Sequence, residues 1–278
     1  MEDTIDKCHK ESHRSDLRAG NGDAERYFFD PRWPVFFEDN HLLAVYKPSG
    51  LLVQGDRTGD ICLLDLGKRW LKARYQKPGK VFLAMVHRLD RPVAGVVLFA
   101  RTSKAAGRLA AQFRERTVEK RYLAVVNGVV SGESGRLVHQ IERRNRVSRL
   151  VAAPTAASRE ARLRYTVLGR AREKSLLRIA LETGRRHQIR LQLAHMGHPI
   201  LGDLRYGGER PLPERRIALL AEELIVDHPV RVERLAFRCP VPNQWPWPVR
   251  EVPEDRRPPW DWRAFASILP AVGPSSGA

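Results

Sequence analysis

The chain has 278 residues, is 42% hydrophobic and carries 49 Lys and Arg against 32 Asp and Glu, a formal net charge of +17. That length and apolar content support a folded core and exclude global disorder, while the charge points to an anionic partner. Arg outnumbers Lys several-fold, a bias that suits guanidinium forks on phosphate and stacking on bases.

Cys8, Cys62 and Cys239 are the three cysteines, and no two are close enough in sequence for a zinc-binding pair, which fits a reducing compartment. The N-terminus carries Glu2, Asp3 and Asp6 and has no apolar core, unlike a secretory signal. No stretch approaches the roughly 20 apolar residues of a membrane span. The expectation is a soluble, cytoplasmic protein with no membrane partner.

Residues 1–26 are polar and nearly free of aliphatic side chains and read as a flexible tail, with order expected to begin at Tyr27-Phe28-Phe29. Residues 42–46 are an unbroken apolar run, a buried strand, ended by a turn at Lys47-Pro48-Ser49-Gly50. A second strand is expected at 51–54. Leu63, Leu66, Trp70 and Ala73 recur at helical spacing over 63–75, with Lys68 and Lys72 on the other face.

Strands at 81–86 and 95–100 lead into and away from His87-Arg88-Leu89-Asp90-Arg91-Pro92-Val93-Ala94-Gly95, a charged loop on an apolar scaffold. Pro92 pushes Arg91 toward extended backbone, and Gly95 permits angles that a Cβ resists. Ser103 can cap a helix over 104–116 with an apolar stripe of Ala106, Leu109, Ala110 and Phe113. Residues 120–126 alternate as a strand, with Tyr122, Ala124 and Val126 on one face and Leu123 and Val125 on the other. Asn127-Gly128 marks its turn.

Residues 136–164, centred on Arg143-Arg144-Asn145-Arg146, read as an exposed hairpin or loop, either gripping a phosphate backbone or simply solvated. A strand at 177–181, a turn at Thr183-Gly184 and a short helix over 187–196 stopped by Gly197 follow. Residues 253–278 are rich in Pro and Arg and read as a tail without its own core. Strands mixed with a few helices, without regular alternation, indicate an α+β domain over 27–252 on a mixed or antiparallel sheet.

Five of these segments, in order, resemble the RluA family of pseudouridine synthases: Lys47-Pro48-Ser49-Gly50, His87-Arg88-Leu89-Asp90, Lys120-Arg121-Tyr122-Leu123-Ala124, Thr183-Gly184-Arg185-Arg186-His187-Gln188-Ile189-Arg190, and His198-Pro199-Ile200-Leu201-Gly202-Asp203. The chain departs at Val93-Ala94, where many members have small polar residues. The resemblance implies the pseudouridine synthase fold, a long mixed or antiparallel sheet with flanking helices and an active-site cleft across its middle. It implies that Asp90 is the ribose-directed carboxylate, that Tyr122 lies against the target base, and that Arg190 pairs with Asp90 and orients it. It further implies that Arg88 fills the space left by a flipped uridine. Arg91 and Arg185, within the motif segments, and Arg143 and Arg144, in the Arg-rich hairpin or loop, are further candidates for RNA contacts. Taken alone, these are a turn aspartate, a strand tyrosine and surface arginines.

Pseudouridine formation leaves C1′ of the ribose electron-poor, and a carboxylate beneath it can trap it covalently or stabilise its charge. Removal of the 2′ proton needs the same residue in the same place. The motif segments offer Asp90 as one obvious acid amid many Arg, and nothing in the reaction demands a metal or another cofactor. His87, His187, His195 and His198 are therefore expected to hydrogen-bond or cap, since no carboxylate lies at ligand spacing beside His195 and His198. The expected partner is ribosomal or transfer RNA, bound by a monomer. A non-catalytic RNA-binding protein on the same fold has no need of Asp90, Tyr122 and Arg190 together. A nucleoside hydrolase usually needs a second carboxylate.

Overall fold

The computed structural model describes residues 35–145 and 147–248, together with Arg257, Pro258 and Trp260. The expected tail at 1–26, the aromatics at 27–29, Arg146 and most of 253–278 lie outside these residues.

Among the described residues, eleven strands form one sheet: β1 (Val35–Glu38), β2 (Leu42–Lys47), β3 (Ala84–Met85), β4 (Ala94–Ala100), β5 (Glu119–Asn127), β6 (Ser134–Arg144), β7 (Val147–Val151), β8 (Ser158–Ala171), β9 (Lys174–Leu181), β10 (Leu219–Asp227) and β11 (Arg234–Arg238). Their order is β1-β2-β4-β10-β5-β9-β8-β6-β7, with β3 on β4 and β11 on β10. β4 and β10 run parallel; the other pairings are antiparallel. Among the described residues, three α-helices flank the sheet: α1 (Leu63–Arg74), α2 (Ser103–Glu115) and α3 (Gln188–His195). This is the α+β architecture expected, with a mixed sheet.

Burial follows the sequence pattern. β2 and β4 are buried at every position, which is why they read as continuous apolar runs, as strands covered on both faces do. Each fully buried Leu or Phe among them contributes roughly 1.5–3 kcal/mol relative to exposure. β8 instead alternates, with Ala161 and Leu163 buried and Arg164 exposed, so one face stays in water. Of residues 136–164, 136–144, 147–151 and 158–164 are strand and 152–157 a connecting loop. Of the two readings, hairpin or loop, β6 and β7 pair as a hairpin, and Arg143 and Arg144 end β6 just before Asn145 (φ 48°).

Several local expectations are corrected. No strand forms at 51–54; Leu52 makes a single bridge to Cys62, because the chain there turns into α1. The strand at 81–86 shortens to Ala84–Met85. Thr102, not Ser103, caps α2, its hydroxyl accepting from Ala105 N at 3.2 Å. Ala73 and Ala110 face water, and Leu71 and Ala105 take their places toward the core.

Trp260 lies in the stretch read as a tail, yet it is 1% exposed. Its ring packs 5.0 Å from Trp245 and under the Arg216 guanidinium at 4.5 Å, and its carbonyl accepts from Ser49 N at 2.7 Å. Among the described residues no helix is long and apolar enough to cross a membrane.

Candidate active site

Asp90 stands on the loop between β3 and β4, and its neighbours hold that loop from both sides. His87 Nε2 accepts from Leu98 N at 2.9 Å, and its ring stacks on Phe113 with centroids 5.2 Å apart. Burial, with a smaller push from Lys120, lowers its pKa to about 3, so the ring is neutral and keeps the lone pair that this bond uses. On the other side, Lys47 is fully buried and its Nζ donates to the carbonyls of Pro48, Leu51 and Arg91 at 2.9, 2.7 and 3.1 Å. Burial lowers the Lys47 pKa to about 7, with the charge of Asp90 acting against that fall. Ser49 Oγ donates to Pro92 O at 2.9 Å. The opening turn and the Asp90 loop are thus tied together by backbone carbonyls.

Gly95, at φ 131°, follows this loop, and a Cβ there would lie 2.6 Å from Ala221 N. The missing side chain lets β4 meet β10 in parallel at Gly95 and Ala221. Ala221 also faces Tyr122 across the β10–β5 ladder. Tyr122 is therefore two strand spacings from the end of the Asp90 loop, about 10 Å between backbones. Burial, then the charge of Asp90, pushes the Tyr122 phenol up from its ordinary value.

The third component comes from α3, which buries Gln188, Arg190 and Gln192. Gln192 Nε2 donates to the carbonyls of Leu137 and Ala161 at 3.2 and 3.1 Å, anchoring the helix to β6 and β8. At its start, Gln188 Oε1 accepts from Thr183 Oγ1 at 2.7 Å and Arg185 N at 3.0 Å. Arg190 then faces two carboxylates. It donates to Asp203 from Nε and Nη2 at 2.6 and 2.7 Å, and reaches Asp90 Oδ2 with Nη1 at 3.4 Å. Burial opposes its charge, but the bonds to Asp203 prevail and raise the Arg190 pKa. His187 Nε2 also approaches Asp90 Oδ2, at 3.5 Å.

A cleft of about 700 Å³ opens over these groups. Asp90, Tyr122 and Arg190 line it, as do Arg88, Arg114, Arg116, Lys120, Arg143, Arg185 and Arg186. Elsewhere Arg residues share acids: Arg136, Arg162 and Arg164 converge on Glu182, and Arg121 and Arg238 on Glu223. Among the described residues, no carboxylate pairs with Arg88, Arg114, Arg116, Lys120 or Arg143. Burial, then Arg116, pulls the Lys120 pKa down. Such unneutralised cations in a cleft favour an anion.

The family model for RNA pseudouridylate synthases matches residues 41–195, more than half of the chain. The chain belongs to that family.

Among curated relatives, the ribosomal large subunit pseudouridine synthase D of Pseudomonas aeruginosa is 33% identical over 238 residues, covering 80% of this chain and 72% of that protein. Its counterpart from Xanthomonas campestris is 38% identical over 75% of this chain and 66%, about two thirds, of that one. The tRNA pseudouridine synthase C of Pasteurella multocida is 32% identical over 76% of this chain and 92% of its own length. Among solved structures, human RNA pseudouridylate synthase domain containing 4 superposes with a TM-score of 0.63 at 25% identity, covering 75% of this chain and 88% of that one.

Within this synthase fold, the residues singled out from sequence separate into two groups. Asp90, Tyr122, Arg190, Arg88, Arg143 and Arg185 meet in the cleft. Arg91 turns away, with Nε donating to Gly50 O at 2.9 Å and Nη1 pairing with Asp60 at 2.8 Å. Arg144 is exposed beyond the lining. The expectation of one acid is corrected: Asp203 is a second, fully buried carboxylate, and it takes Arg190's two short bonds. Its segment was recognised, but nothing in its spacing from Arg190 revealed the pairing. Tyr206 was also missed; its hydroxyl lies 2.6 Å from His187 Nδ1 and its ring under Arg190 at 5.0 Å.

Proposed function

We propose that this protein converts uridine to pseudouridine in ribosomal or transfer RNA, with Asp90 directed at the ribose. One observation carries the reading: the partly exposed Asp90 carboxylate, held by no short ion pair, lines a cleft in which Arg88, Arg114, Arg116, Lys120 and Arg143 have no carboxylate partner among the described residues. The cations suit a polyanionic strand, and the carboxylate suits a sugar that becomes electron-poor.

As the N1–C1′ bond breaks, its electron pair leaves with the uracil, and an Asp90 oxygen bonds to C1′ or stabilises its charge. The base turns, C5 attacks C1′ and displaces the carboxylate, C5 loses its proton, and N1 gains one. Abstraction of the 2′ proton by Asp90 is the alternative course for the same carboxylate. Tyr122 supplies a ring against the base. Its raised pKa favours stacking and hydrogen bonding by a neutral phenol over work as a free phenolate. Arg88, exposed beside Asp90, is the side chain we assign to the space left by the flipped uridine. In this reading the acting unit is a monomer, and ribosomal or transfer RNA as substrate fits a cytoplasmic protein.

The test is incubation of chelator-treated protein with uridine-labelled ribosomal and transfer RNA, followed by nucleoside analysis. Pseudouridine is expected. Free uracil would mark a hydrolase, and unchanged uridine with tight binding an RNA-binding protein. Asp90→Asn is expected to abolish conversion and keep RNA affinity, since it removes a negative charge from a site that faces phosphates.

A further inference from the structure

Two groups approach the Asp90 carboxylate from the start of α3, and both approach the same oxygen. Arg190 Nη1 lies 3.4 Å and His187 Nε2 3.5 Å from Oδ2. The far side of the imidazole is held more tightly, with Nδ1 2.6 Å from the Tyr206 hydroxyl. Tyr206 is itself fixed, since its N donates to Asp203 O at 3.1 Å and its ring lies under the Arg190 guanidinium. His187 adopts φ 56°, a left-handed conformation that persists only where surroundings over-determine it.

The charged and titratable groups facing the ring are Asp90, Arg190, Arg186, Arg205 and Tyr206. Burial lowers the His187 pKa to about 4, so the ring carries one proton and one lone pair at neutral pH. Two tautomers are possible. With the proton on Nδ1, the Nε2 lone pair accepts from Arg186 Nε at 3.5 Å but faces the carboxylate lone pairs. With the proton on Nε2, Tyr206 O–H donates to Nδ1, and Nε2 carries a proton rather than a lone pair 3.5 Å from Oδ2. Arg186 is exposed and loses little by turning to water, whereas a lone pair against a carboxylate is repulsive. The second tautomer is favoured.

We infer that His187, oriented by Tyr206, is a positioning residue that holds Oδ2 of Asp90 together with Arg190, leaving Oδ1 as the oxygen that meets the ribose. This rests on the reading of Asp90 as the ribose-directed carboxylate. The 3.5 Å separation closes to a hydrogen bond with a shift of about half an ångström, and such tightening on substrate binding is common in catalytic sites.

The experiment measures kcat, KM and RNA affinity on a transcript that the wild-type protein converts. Tyr206→Phe keeps the ring beneath Arg190 and deletes the hydroxyl; kcat should fall roughly tenfold, the loss of one hydrogen bond linked to a charged group, with KM and affinity unchanged. His187→Gln retains an N–H donor of similar reach and should keep more activity than His187→Asn, which suits the left-handed backbone but is too short to reach Oδ2. In the His187→Asn background, Tyr206→Phe should cost nothing further, because the hydroxyl acts only through the imidazole. An equal loss in both backgrounds, an unchanged kcat in Tyr206→Phe, or a loss confined to RNA affinity or melting temperature overturns the inference. A wild-type protein that converts no RNA overturns the underlying reading of Asp90, and the inference with it.

Discussion

Arg190 holds Asp203 in a two-pronged pair at 2.6 and 2.7 Å and touches Asp90 with its remaining nitrogen at 3.4 Å. Asp203 is thus the counter-ion that keeps Arg190 buried and charged, and Asp90 borrows a guanidinium whose orientation is already settled. Asp90 itself is left without a short ion pair.

Asp203→Asn should therefore damage the fold more than Asp90→Asn does. It strands a buried guanidinium, at a cost of about 3–5 kcal/mol for a broken buried pair, whereas Asp90 is 22% exposed and its contact is long. Urea denaturation of the two variants measures the difference. Equal stability would assign the structural pair to Asp90 instead.

Tyr122→Phe preserves the ring and deletes a hydroxyl that burial and Asp90 hold in its neutral form. RNA affinity should be unchanged and turnover should drop, by roughly 10²–10⁴-fold if the hydroxyl handles a proton in the reaction. Single-turnover rates on one transcript decide this, and full activity would limit Tyr122 to stacking.

Binding should be steeply salt-dependent, because cations such as Arg116 and Lys120 line the cleft without acid partners and each phosphate they neutralise releases counterion. Arg116→Gln should lower the slope of log affinity against log salt by about one. Arg164→Gln, whose guanidinium is engaged by Glu182 at 2.9 Å, should alter it less. Filter binding across a salt series reads both slopes.

The protein should be acid-labile. His87 and His187 have folded pKa values of about 3 and 4 against an ordinary 6.5, both lowered chiefly by burial. Below pH 6.5 the unfolded chain takes up protons that the folded one refuses. The stability present above pH 6.5 is lost as pH falls toward 4, at up to about 1.4 kcal/mol per pH unit for each group. His87→Gln should melt lower than wild type at pH 7.5, having lost the stack on Phe113, but should lose less on acidification to pH 5. Calorimetry at the two pH values checks it.

Local pattern was enough to place most of the framework. Continuous apolar runs at β2 and β4 and the Gly and Pro around Asp90 carry their own backbone preferences, so these elements were legible before any tertiary contact was known; β5, read as alternating, is instead buried on both faces over Leu123 to Val126. The types and order of Asp90, Tyr122 and Arg190 pointed to the family, and the cleft brings them together. Only the tertiary structure decided who pairs with whom. Lys47 reaches the carbonyl of Arg91, 44 positions on; Arg190 spends its short bonds on Asp203; Tyr206 reaches His187; Arg91 turns from the cleft to Asp60; and Trp260 returns to the core beside Ser49. Each outcome depends on which charges and carbonyls lose water when distant segments pack. Desolvation makes a buried guanidinium or ammonium choose the nearest well-aligned acceptor, and no periodicity along the chain encodes that choice.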